Sequence, residues 1–285
     1  MSIVFLNGDY LPQEQAKISP MDRGFLFGDG IYEVIPTYLG KTVGFTAHIE
    51  RMQGGLASIG IELDYNHDDW QAIIDNLLNK NDAGNRGIYL HVSRGTDSKR
   101  AHAYPTGVTP TVFAFSFEIP PAPTPDKSKV KPFNVTSSED LRWKRCNIKS
   151  TSLLGNVMHY QQSQDLGMQE TILFNQQQQL TEASSCNVFL VKDNVIATPA
   201  LDNQLLPGVT RKILLAILRE YSSYAIEERV ISMEEVKNAD ELWLTSSSKE
   251  VAPIITLDGV PVGNGTVGDV WQQAQALFSQ YKYQH

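Results

Sequence analysis

The amino-acid sequence predicts an α+β protein of two domains, on three observations. Short alternating apolar and polar stretches predict strands, and longer amphipathic stretches predict helices between them. The third observation is the segment PPAPTPDKSK at residues 120–129, which holds four prolines in six residues. Such a run fits neither a helix interior nor a central strand. We therefore expect an α+β domain at 1–119, a linker at 120–129 and a C-terminal domain at 130–285.

The first predicted domain begins with a hairpin. SIVFLNGDYLP alternates around Asn7–Gly8, a strong hairpin signal, and IYEVIPTYLGKTVGF repeats the pattern with a turn at Leu39–Lys41. Two amphipathic helices follow, FTAHIERMQGGLASIGI with Thr46 as its expected N-cap and DDWQAIIDNLLNKND. The segments RGIYLHVSRG and TVFAFSFEI are then predicted as strands.

The second predicted domain alternates strands and helices. VKPFNVTS and ETILFN are expected strands, with a helix after Lys149 between them, and NVFLVKDNVIATP is a hairpin across Lys192–Asn194. A helix is expected at TRKILLAILREY, and SMEE at 232–235 is a capping box that opens a short one. The strands ELWLTSS and VAPIITLDG and the helix VGDVWQQAQALFSQY complete the domain.

Composition excludes several classes of function. The net charge of −8 and the pI near 5.3 argue against a protein that binds nucleic acid through its phosphate backbone. Cys146 and Cys186 have no partners at metal-ligand spacing. The N-terminus lacks the basic region of a signal peptide, and no apolar run approaches the roughly 20 residues that span a bilayer. We expect a cytoplasmic protein without a membrane or nucleic-acid partner.

The most informative candidate is Lys149, in RWKRCNIKSTSLLGN. An amine is a nucleophile only when deprotonated, and nearby cations lower the pKa of a lysine; Arg142, Lys144 and Arg145 lie within seven residues. Charge alone favours a basic surface loop. The position of Lys149 favours function, because it precedes a predicted helix that Ser150–Ser152 could cap and Gly167 could end.

Two further segments carry groups that bind phosphate. In LLPGVTR, the turn at Pro207–Gly208 leads into a helix whose free N–H groups and positive dipole end converge with the Thr210 hydroxyl. ELWLTSSSKE adds the hydroxyls of Ser246–Ser248 at the end of a strand. Arg51 could supply a positive charge, although its position alone favours an exposed helix residue paired with Glu50 or Asp22.

Two segments carry groups suited to a small charged ligand. Glu182, in TEASSCNVF, is an acid among small residues, where a protonated ring nitrogen could approach closely. The loop SRGTDSKRAHAYP holds Arg94, Arg100 and His102, which can all donate to a carboxylate. Each segment is also compatible with an ordinary turn or a solvated basic loop.

Six blocks in this order and spacing together resemble the fold-type IV aminotransferases, which use pyridoxal 5'-phosphate. They are DRGFLFGDGIYEV, HIERM, RWKRCNIKSTSLLGN, TEASSCNVF, LLPGVTR and ELWLTSSSKEVAPI, and the resemblance runs from about residue 3 to residue 270. It implies a two-domain α+β fold with a smaller N-terminal domain, a larger C-terminal domain with a β-barrel-like core, and the cofactor at the domain interface. It also implies a homodimer.

The resemblance further implies roles for individual residues. Lys149 would be the Schiff-base lysine and the proton shuttle, and Glu182 would keep the cofactor's ring nitrogen protonated. The remaining cofactor-binding positions, for the phosphate and for packing against the ring, would be Arg51, Leu206, Val209, Thr210, Ser246 and Ser247. The donor among Ser246, Ser247 and Ser248 stays open, because serines stand where threonine is common.

Within the family, GDGIYEV combined with RGTDSKRAHAYP is similar to the D-amino-acid aminotransferases. Tyr32, Arg100 and His102 would then bind the substrate carboxylate, in a trap that reaches across the dimer interface, while Lys99 is an extra residue in the loop. The substrates would be a D-amino acid and a 2-oxo acid in a ping-pong mechanism. The alternatives are a branched-chain L-amino acid aminotransferase, an aminodeoxychorismate lyase and a non-catalytic binding module of the same fold.

Overall fold

The computed structural model describes residues 2–285, which form two compact units. The first unit extends to Pro121 and also includes Ile148–Leu153, whereas the second comprises Ala122–Asn147 and Leu154–His285. The chain thus returns to the first unit at Ile148 after it has entered the second. A single linear boundary does not describe this segment, because its backbone pairs with a strand of the first unit.

The first unit is a six-stranded sheet covered by helices, and all its strand pairs are antiparallel. The strand order is 2-1-6-5-3-4. The strands are β1 (Ile3–Leu6), β2 (Asp9–Pro12), β3 (Gly30–Tyr38), β4 (Lys41–Thr42), β5 (Arg86–Ser93) and β6 (Thr111–Glu118). The helices are α1 (Arg23–Phe27), α2 (Phe45–Ser58) and α3 (His67–Lys80).

Local chemistry sets several of these elements. Asn7 and Gly8 have φ of 50° and 103°, which confirms the predicted hairpin turn. A capping box between Asn66 and Asp69 begins α3. The prediction of Thr46 as the N-cap of α2 was wrong: Gly44, at φ 66°, turns the chain two residues earlier, so Thr46 lies inside the first turn.

The core of the first unit lies between its sheet and α2 and α3. The strands contribute fully buried residues at alternate positions, as expected when one face of a sheet is covered by helices. Trp70 of α3 is only 1% exposed. The central apolar residues are Ile31, Ile35, Ile49, Met52, Ile74, Leu77, Ile88 and Leu90. This packing fixes β3, which carries Tyr32 and Glu33.

The second unit is a nine-stranded mixed sheet that curls into a half-barrel. The strand order is 12-11-10-13-14-7-8-9, and the fifteenth strand pairs with the fourteenth. The first five strands are β7 (Phe133–Glu139), β8 (Glu170–Phe174), β9 (Leu180–Ala183), β10 (Asn187–Lys192) and β11 (Val195–Thr198). The remaining strands are β12 (Ala225–Glu228), β13 (Glu241–Ser246), β14 (Glu250–Leu257) and β15 (Val260–Pro261).

Four helices accompany this sheet, and α5 and α7 pack against each other and against β13. They are α4 (Leu154–Asp165), α5 (Val209–Tyr221), α6 (Met233–Lys237) and α7 (Asp269–Tyr281). The capping box predicted at SMEE is confirmed, since Ser232 and Glu235 bond each other's backbone at the start of α6. No helix among residues 2–285 is both long and apolar enough to cross a membrane.

Candidate active site

Lys149 is held at the edge of β3 in the first unit. Its carbonyl accepts a hydrogen bond from Tyr32 N at 3.1 Å, and Thr151 N donates to Gly30 O at 2.9 Å. The Lys149 Nζ lies 4.1 Å from the centroid of the Tyr32 ring. An amine over an aromatic face is held by a favourable cation–π contact when it is charged. The backbone of Lys149 is therefore fixed, and its amine sits over a ring.

The hydroxyls of Thr151 and Ser152 bond the backbone of the turn at Gly28 and do not cap a helix. Thr151 Oγ1 and Ser152 Oγ donate to Gly28 O at 2.9 and 3.0 Å. Gly28 has φ 65°, and a Cβ there would lie 2.5 Å from Ser152 Oγ. The prediction that Ser150–Ser152 cap the following helix was wrong for these two hydroxyls, because the left-handed turn presents its carbonyls to them. The GDG turn and the lysine segment are thus tied together.

Arg51 forms a buried cluster with two residues that the sequence analysis did not single out. Its Nε and Nη2 donate to the two carboxylate oxygens of Glu33 at 2.7 Å each, and His48 Nδ1 lies 2.7 Å from Glu33 Oε2. Burial would raise the pKa of Glu33, but Arg51 and His48 outweigh it and hold that pKa well below its usual range. Burial lowers the pKa of His48. Arg51 is therefore oriented by a carboxylate from β3.

A sequence signal for this cluster exists in the alternation of β3. Ile31, Glu33 and Ile35 are all buried on one face of the strand, so a carboxylate on that face requires a partner. Arg51 and His48 are three residues apart on α2, a spacing that places both on one side of a helix. Arg51 pairs with Glu33, whereas the Asp22 carboxylate accepts hydrogen bonds from Ser93 and Thr111.

Arg100 and His102 lie together in an exposed loop of the first unit. The Arg100 guanidinium is 5.0 Å from the Phe27 ring centroid, and the His102 ring is 5.5 Å from the same ring. Arg23 anchors this loop by donating to the carbonyls of Ala101 and His102 at 2.5 and 3.3 Å. The loop backbone is thus held, while two groups that donate to carboxylates remain accessible.

Arg94 has a different place from its two loop neighbours. It is buried, and its Nε and Nη2 donate to the two carboxylate oxygens of Asp29 at 2.8 and 2.9 Å. Its guanidinium also lies 3.6 Å from the Tyr104 ring centroid. Arg94 therefore supports the loop, and Arg100 with His102 forms the exposed pair.

Glu182 is a buried carboxylate paired with Arg142 in the second unit. Arg142 Nη1 donates to Glu182 Oε1 at 2.5 Å, and Arg142 Nη2 donates to Asp140 Oδ2 at 2.8 Å. Leu206 N donates to Glu182 Oε2 at 3.1 Å. Burial raises the pKa of Glu182, although Arg142 opposes that shift. Burial would lower the pKa of Arg142, but Asp140 and Glu182 outweigh it and raise that pKa.

This pairing separates the basic residues that precede Lys149. Arg142 is compensated by two carboxylates, with a side chain only 3% exposed. Lys144 and Arg145 are exposed. The interpretation that these three cations form one field around Lys149 therefore does not hold for Arg142, whose charge is satisfied by Asp140 and Glu182.

The start of α5 presents free backbone donors in the second unit. Its N-cap is Gly208, which makes no side-chain capping bond, and Val209 and Thr210 are buried in its first turn. A Cβ at Gly208 would lie 2.0 Å from Asn187 Oδ1, so only glycine fits this close approach. Asn187 also donates to Leu206 O at 2.9 Å. The turn before α5 is thus locked in place beside Glu182.

The turn between β13 and β14 supplies hydroxyls in the same unit. Among residues 2–285, Thr245 Oγ1 and Ser246 Oγ are buried side-chain atoms without a hydrogen-bond partner. Ser247 is half-buried, and Ser248 is exposed. Unpartnered buried hydroxyls are costly, so a ligand that bonds Thr245 and Ser246 would stabilise this turn. Within residues 2–285, no group of three or more His, Cys, Asp and Glu side chains could hold a metal ion.

Comparison with known proteins identifies the family. Residues 30–257 match the profile of the family Amino-transferase class IV. The chain belongs to this family. It is an aminotransferase, and enzymes of the class depend on pyridoxal 5'-phosphate and act on amino acids and 2-oxo acids.

Two D-alanine aminotransferases resemble the chain over almost its whole length. The D-alanine aminotransferase of Staphylococcus haemolyticus is 37% identical over 99% of this chain and 98% of its own. The D-alanine aminotransferase of Bacillus licheniformis is 35% identical over 95% of this chain and 94% of its own.

Solved structures of the class share the fold. The branched-chain amino acid aminotransferase of Escherichia coli has a TM-score of 0.86 at 23% identity, over 98% of this chain and 93% of its own. The branched-chain amino acid aminotransferase of Thermobaculum terrenum, in its pyridoxal-phosphate form, has a TM-score of 0.87 at 19% identity. The match covers 99% of this chain and 94% of that enzyme. At these identities the likeness concerns the fold alone.

Proposed function

We propose that the protein is a pyridoxal 5'-phosphate-dependent transaminase that moves an amino group between a D-amino acid and a 2-oxo acid such as 2-oxoglutarate or pyruvate. Similarity to D-alanine aminotransferases along the whole chain, at 35 to 37% identity, is the observation that carries this proposal. The exposed pair Arg100 and His102, which suits a carboxylate, supports it.

The donor groups of the second unit fit the cofactor. An uncapped helix start at Val209 and Thr210 suits a phosphate, and the buried unpartnered hydroxyl of Ser246, with Ser247 beside it, supplies further donors. Glu182 is a buried carboxylate that would hold the ring nitrogen, and Leu206, whose N–H bonds Glu182, would pack against the ring. Arg51, held by Glu33 in the first unit, would add a positive charge to the phosphate set.

Lys149 and Arg142 would have different roles in the transfer of the amino group. When bound, pyridoxal 5'-phosphate supplies the carbonyl that takes the amino group and a ring that accepts electrons from the substrate Cα. The Lys149 Nζ would hold the cofactor and then move the proton between the substrate and the cofactor. Arg142 would favour the ionised form of Glu182, which can hold a protonated ring nitrogen, and so oppose the effect of burial, which raises the pKa of this carboxyl.

A shared carboxylate handle would let one site take two substrates in turn. Arg100, His102 and Tyr32 would bind the carboxylate common to amino acids and 2-oxo acids. Within this chain, Arg100 and His102 lie beside the Phe27 ring, and the Tyr32 ring lies beside the Lys149 amine. The side-chain pocket can then stay permissive, and the side from which Lys149 acts selects the enantiomer.

We propose a homodimer in the cytoplasm. In each protomer a domain at 1–119 is joined by residues 120–129 to a domain at 130–285, from which Ile148–Leu153 return to the first unit. Helix α4 supports the dimer, because Leu154, Val157 and Met158 are 73%, 59% and 62% exposed on it. Exposed apolar groups of this size on one helix are typical of an interface. Sedimentation measurements on the wild type and on Val157→Glu test this: the wild type should be a dimer, and the variant should dissociate. A monomeric wild type contradicts it.

The function is tested by a pair of substrates. We expect D-alanine and 2-oxoglutarate to give pyruvate and D-glutamate, with chirality assigned on a chiral column. L-Leucine with 2-oxoglutarate serves as the comparison, because branched-chain enzymes share the fold. Turnover of L-leucine alone would replace the proposal with a branched-chain activity. No transfer of the amino group from either amino acid would favour the alternative of an aminodeoxychorismate lyase.

A further inference from the structure

Helix α7 fastens the start of β14 through buried side chains. Trp271 Nε1 donates to Val251 O at 2.8 Å, and Val251 N donates to Gln275 Oε1 at 3.2 Å. Gln275 Nε2 donates to Glu250 Oε2 at 2.8 Å, and Lys282 Nζ, one residue after the helix, pairs with Glu250 Oε1 at 2.5 Å. Glu250 and Lys282 are only 2% and 3% exposed. Two residues at the start of β14 are thus held by three side chains of one helical segment.

Glu250 has a backbone conformation that requires such support. Its φ is 52°, in the left-handed region that non-glycine residues adopt at an energetic cost. Such conformations persist where the surrounding structure determines them. Here the determinants are the bonds from Gln275 and Lys282 to the carboxylate. The turn is therefore held from outside its own sequence.

Glu250 closes the turn that carries the candidate phosphate donors. Ser246 and Glu250 are partners across the β13–β14 hairpin, with Ser247, Ser248 and Lys249 between them. A shift of the Glu250 backbone would therefore displace both ends of the turn. Because hydrogen bonds weaken steeply when distance and angle depart from their optimum, the phosphate donors need a fixed turn.

The same helix also contacts the other candidate phosphate element. Tyr281, directly before Lys282, stacks on Tyr221 at the end of α5, with ring centroids 3.8 Å apart and an interplanar angle of 4°. The N-terminus of α5 carries Val209 and Thr210. Helix α7 therefore packs against both elements that would bind the phosphate.

We propose that Lys282 is a positioning residue for the cofactor phosphate, acting through its buried ion pair with Glu250 on the turn at Ser246–Glu250. This rests on the proposed function, which assigns the phosphate to that turn and to the start of α5. Removal of the ammonium would leave the Glu250 carboxylate buried without its cation. The carboxylate would then move towards water and carry the turn with it.

The test compares two ligands that differ only in the phosphate. Dissociation constants of pyridoxal 5'-phosphate and of pyridoxal are measured on the full-length chain by absorbance titration, for the wild type and for Lys282→Met. We expect the variant to bind pyridoxal 5'-phosphate about tenfold more weakly, the loss of roughly one well-placed donor, and pyridoxal within about twofold of the wild type. Lys282→Arg should restore most of the affinity. Equal weakening of both ligands, or no change in either, overturns the proposal.

Two further variants distinguish a local change in the turn at Ser246–Glu250 from a general loss of stability. Thr136→Val removes a bond from Thr136 Oγ1 to Asp258 Oδ1, at the far end of β14, and should leave the ratio of the two constants unchanged. If Lys282→Met does not fold, Glu250→Gly with Lys282→Met leaves no unpaired charge, and glycine accepts the left-handed conformation. Neither side chain of the ion pair then remains to hold the turn against α7, so the freed turn should show the same tenfold loss for the phosphorylated ligand. An unchanged ratio overturns the proposal.

Thr210→Val distinguishes failure of this inference from failure of the proposed function. If Thr210→Val weakens pyridoxal 5'-phosphate selectively and Lys282→Met does not, the phosphate site stands and the role of Lys282 is overturned. If neither variant affects the preference for the phosphorylated ligand, the phosphate site itself is misassigned, and the inference falls with it.

Discussion

Arg142 donates to Glu182 at 2.5 Å, and both side chains are almost completely buried. The basic stretch that precedes Lys149 therefore contains one cation with a defined partner and two, Lys144 and Arg145, that face solvent. The partner is the carboxylate to which the ring nitrogen of the cofactor is assigned. The charge of Arg142 thus acts on Glu182.

Arg142→Met tests this relationship against Arg145→Met. Loss of Arg142 leaves Glu182 and Asp140 without a buried cation, which should lower the free energy of unfolding by about 3–5 kcal/mol and raise the pKa of Glu182 further. Arg145→Met should change stability by no more than about 0.5 kcal/mol, because the residue is exposed. Urea unfolding of both variants checks this, and equal effects would contradict it.

Lys149→Ala should abolish amino transfer and leave the protein folded. The side chain contributes an amine over the Tyr32 ring, whereas its backbone bonds to β3 do not depend on it. Lys144→Ala is the matched control, since it removes an exposed lysine from the same stretch and should retain activity. Activity is measured with D-alanine and 2-oxoglutarate, and folding by circular dichroism. Turnover by Lys149→Ala comparable to that of the wild type would refute the role of this amine.

Arg100→Ala should raise KM for amino acids by about one to three orders of magnitude, the loss of a charge-assisted contact with the carboxylate. The loop should keep its shape, because Arg23 holds the carbonyls of Ala101 and His102. Lys99→Ala, which removes a neighbouring exposed cation, is the control and should leave KM nearly unchanged. An unaltered KM in Arg100→Ala would move the carboxylate site elsewhere.

Glu33 should make stability depend on pH on the acid side. Its pKa is lowered in the folded protein from an ordinary value of 4.5, because Arg51 and His48 outweigh burial. Its contribution is therefore fully present above pH 4.5 and is lost as pH falls below that value. Glu33→Gln should be less stable than the wild type at pH 7, and the difference should shrink by pH 3. A constant difference between the two pH values in urea unfolding would contradict this.

The sequence predicted local features well because their determinants lie within a few residues. The Asn7–Gly8 turn and the Ser232–Glu235 capping box depend only on neighbouring residues, and both were confirmed. The family could be inferred because each of the six blocks is a short pattern that can be read without knowing its partners in the fold. Element boundaries that depend on a distant contact were less accessible, as the N-cap of α2 shows.

The contacts that shape the candidate site come from residues far apart in the chain. Glu33 meets Arg51 and His48 only when β3 packs against α2, and Arg142 meets Glu182 across 40 positions. Thr151 and Ser152 bond a turn that lies more than 120 positions earlier. Local patterns can mark such residues as candidates, but their partners follow from packing between elements.

If Lys149 moves the proton of a D-amino acid, the enzyme should exchange the Cα hydrogen of that enantiomer. The enzyme with its cofactor is incubated in D2O with D-alanine, with L-alanine or with L-leucine, and deuterium at Cα is followed by mass spectrometry. We expect deuterium to enter D-alanine faster than either L-amino acid by at least about two orders of magnitude. Exchange confined to L-leucine or L-alanine would rule out a D-amino acid as the substrate.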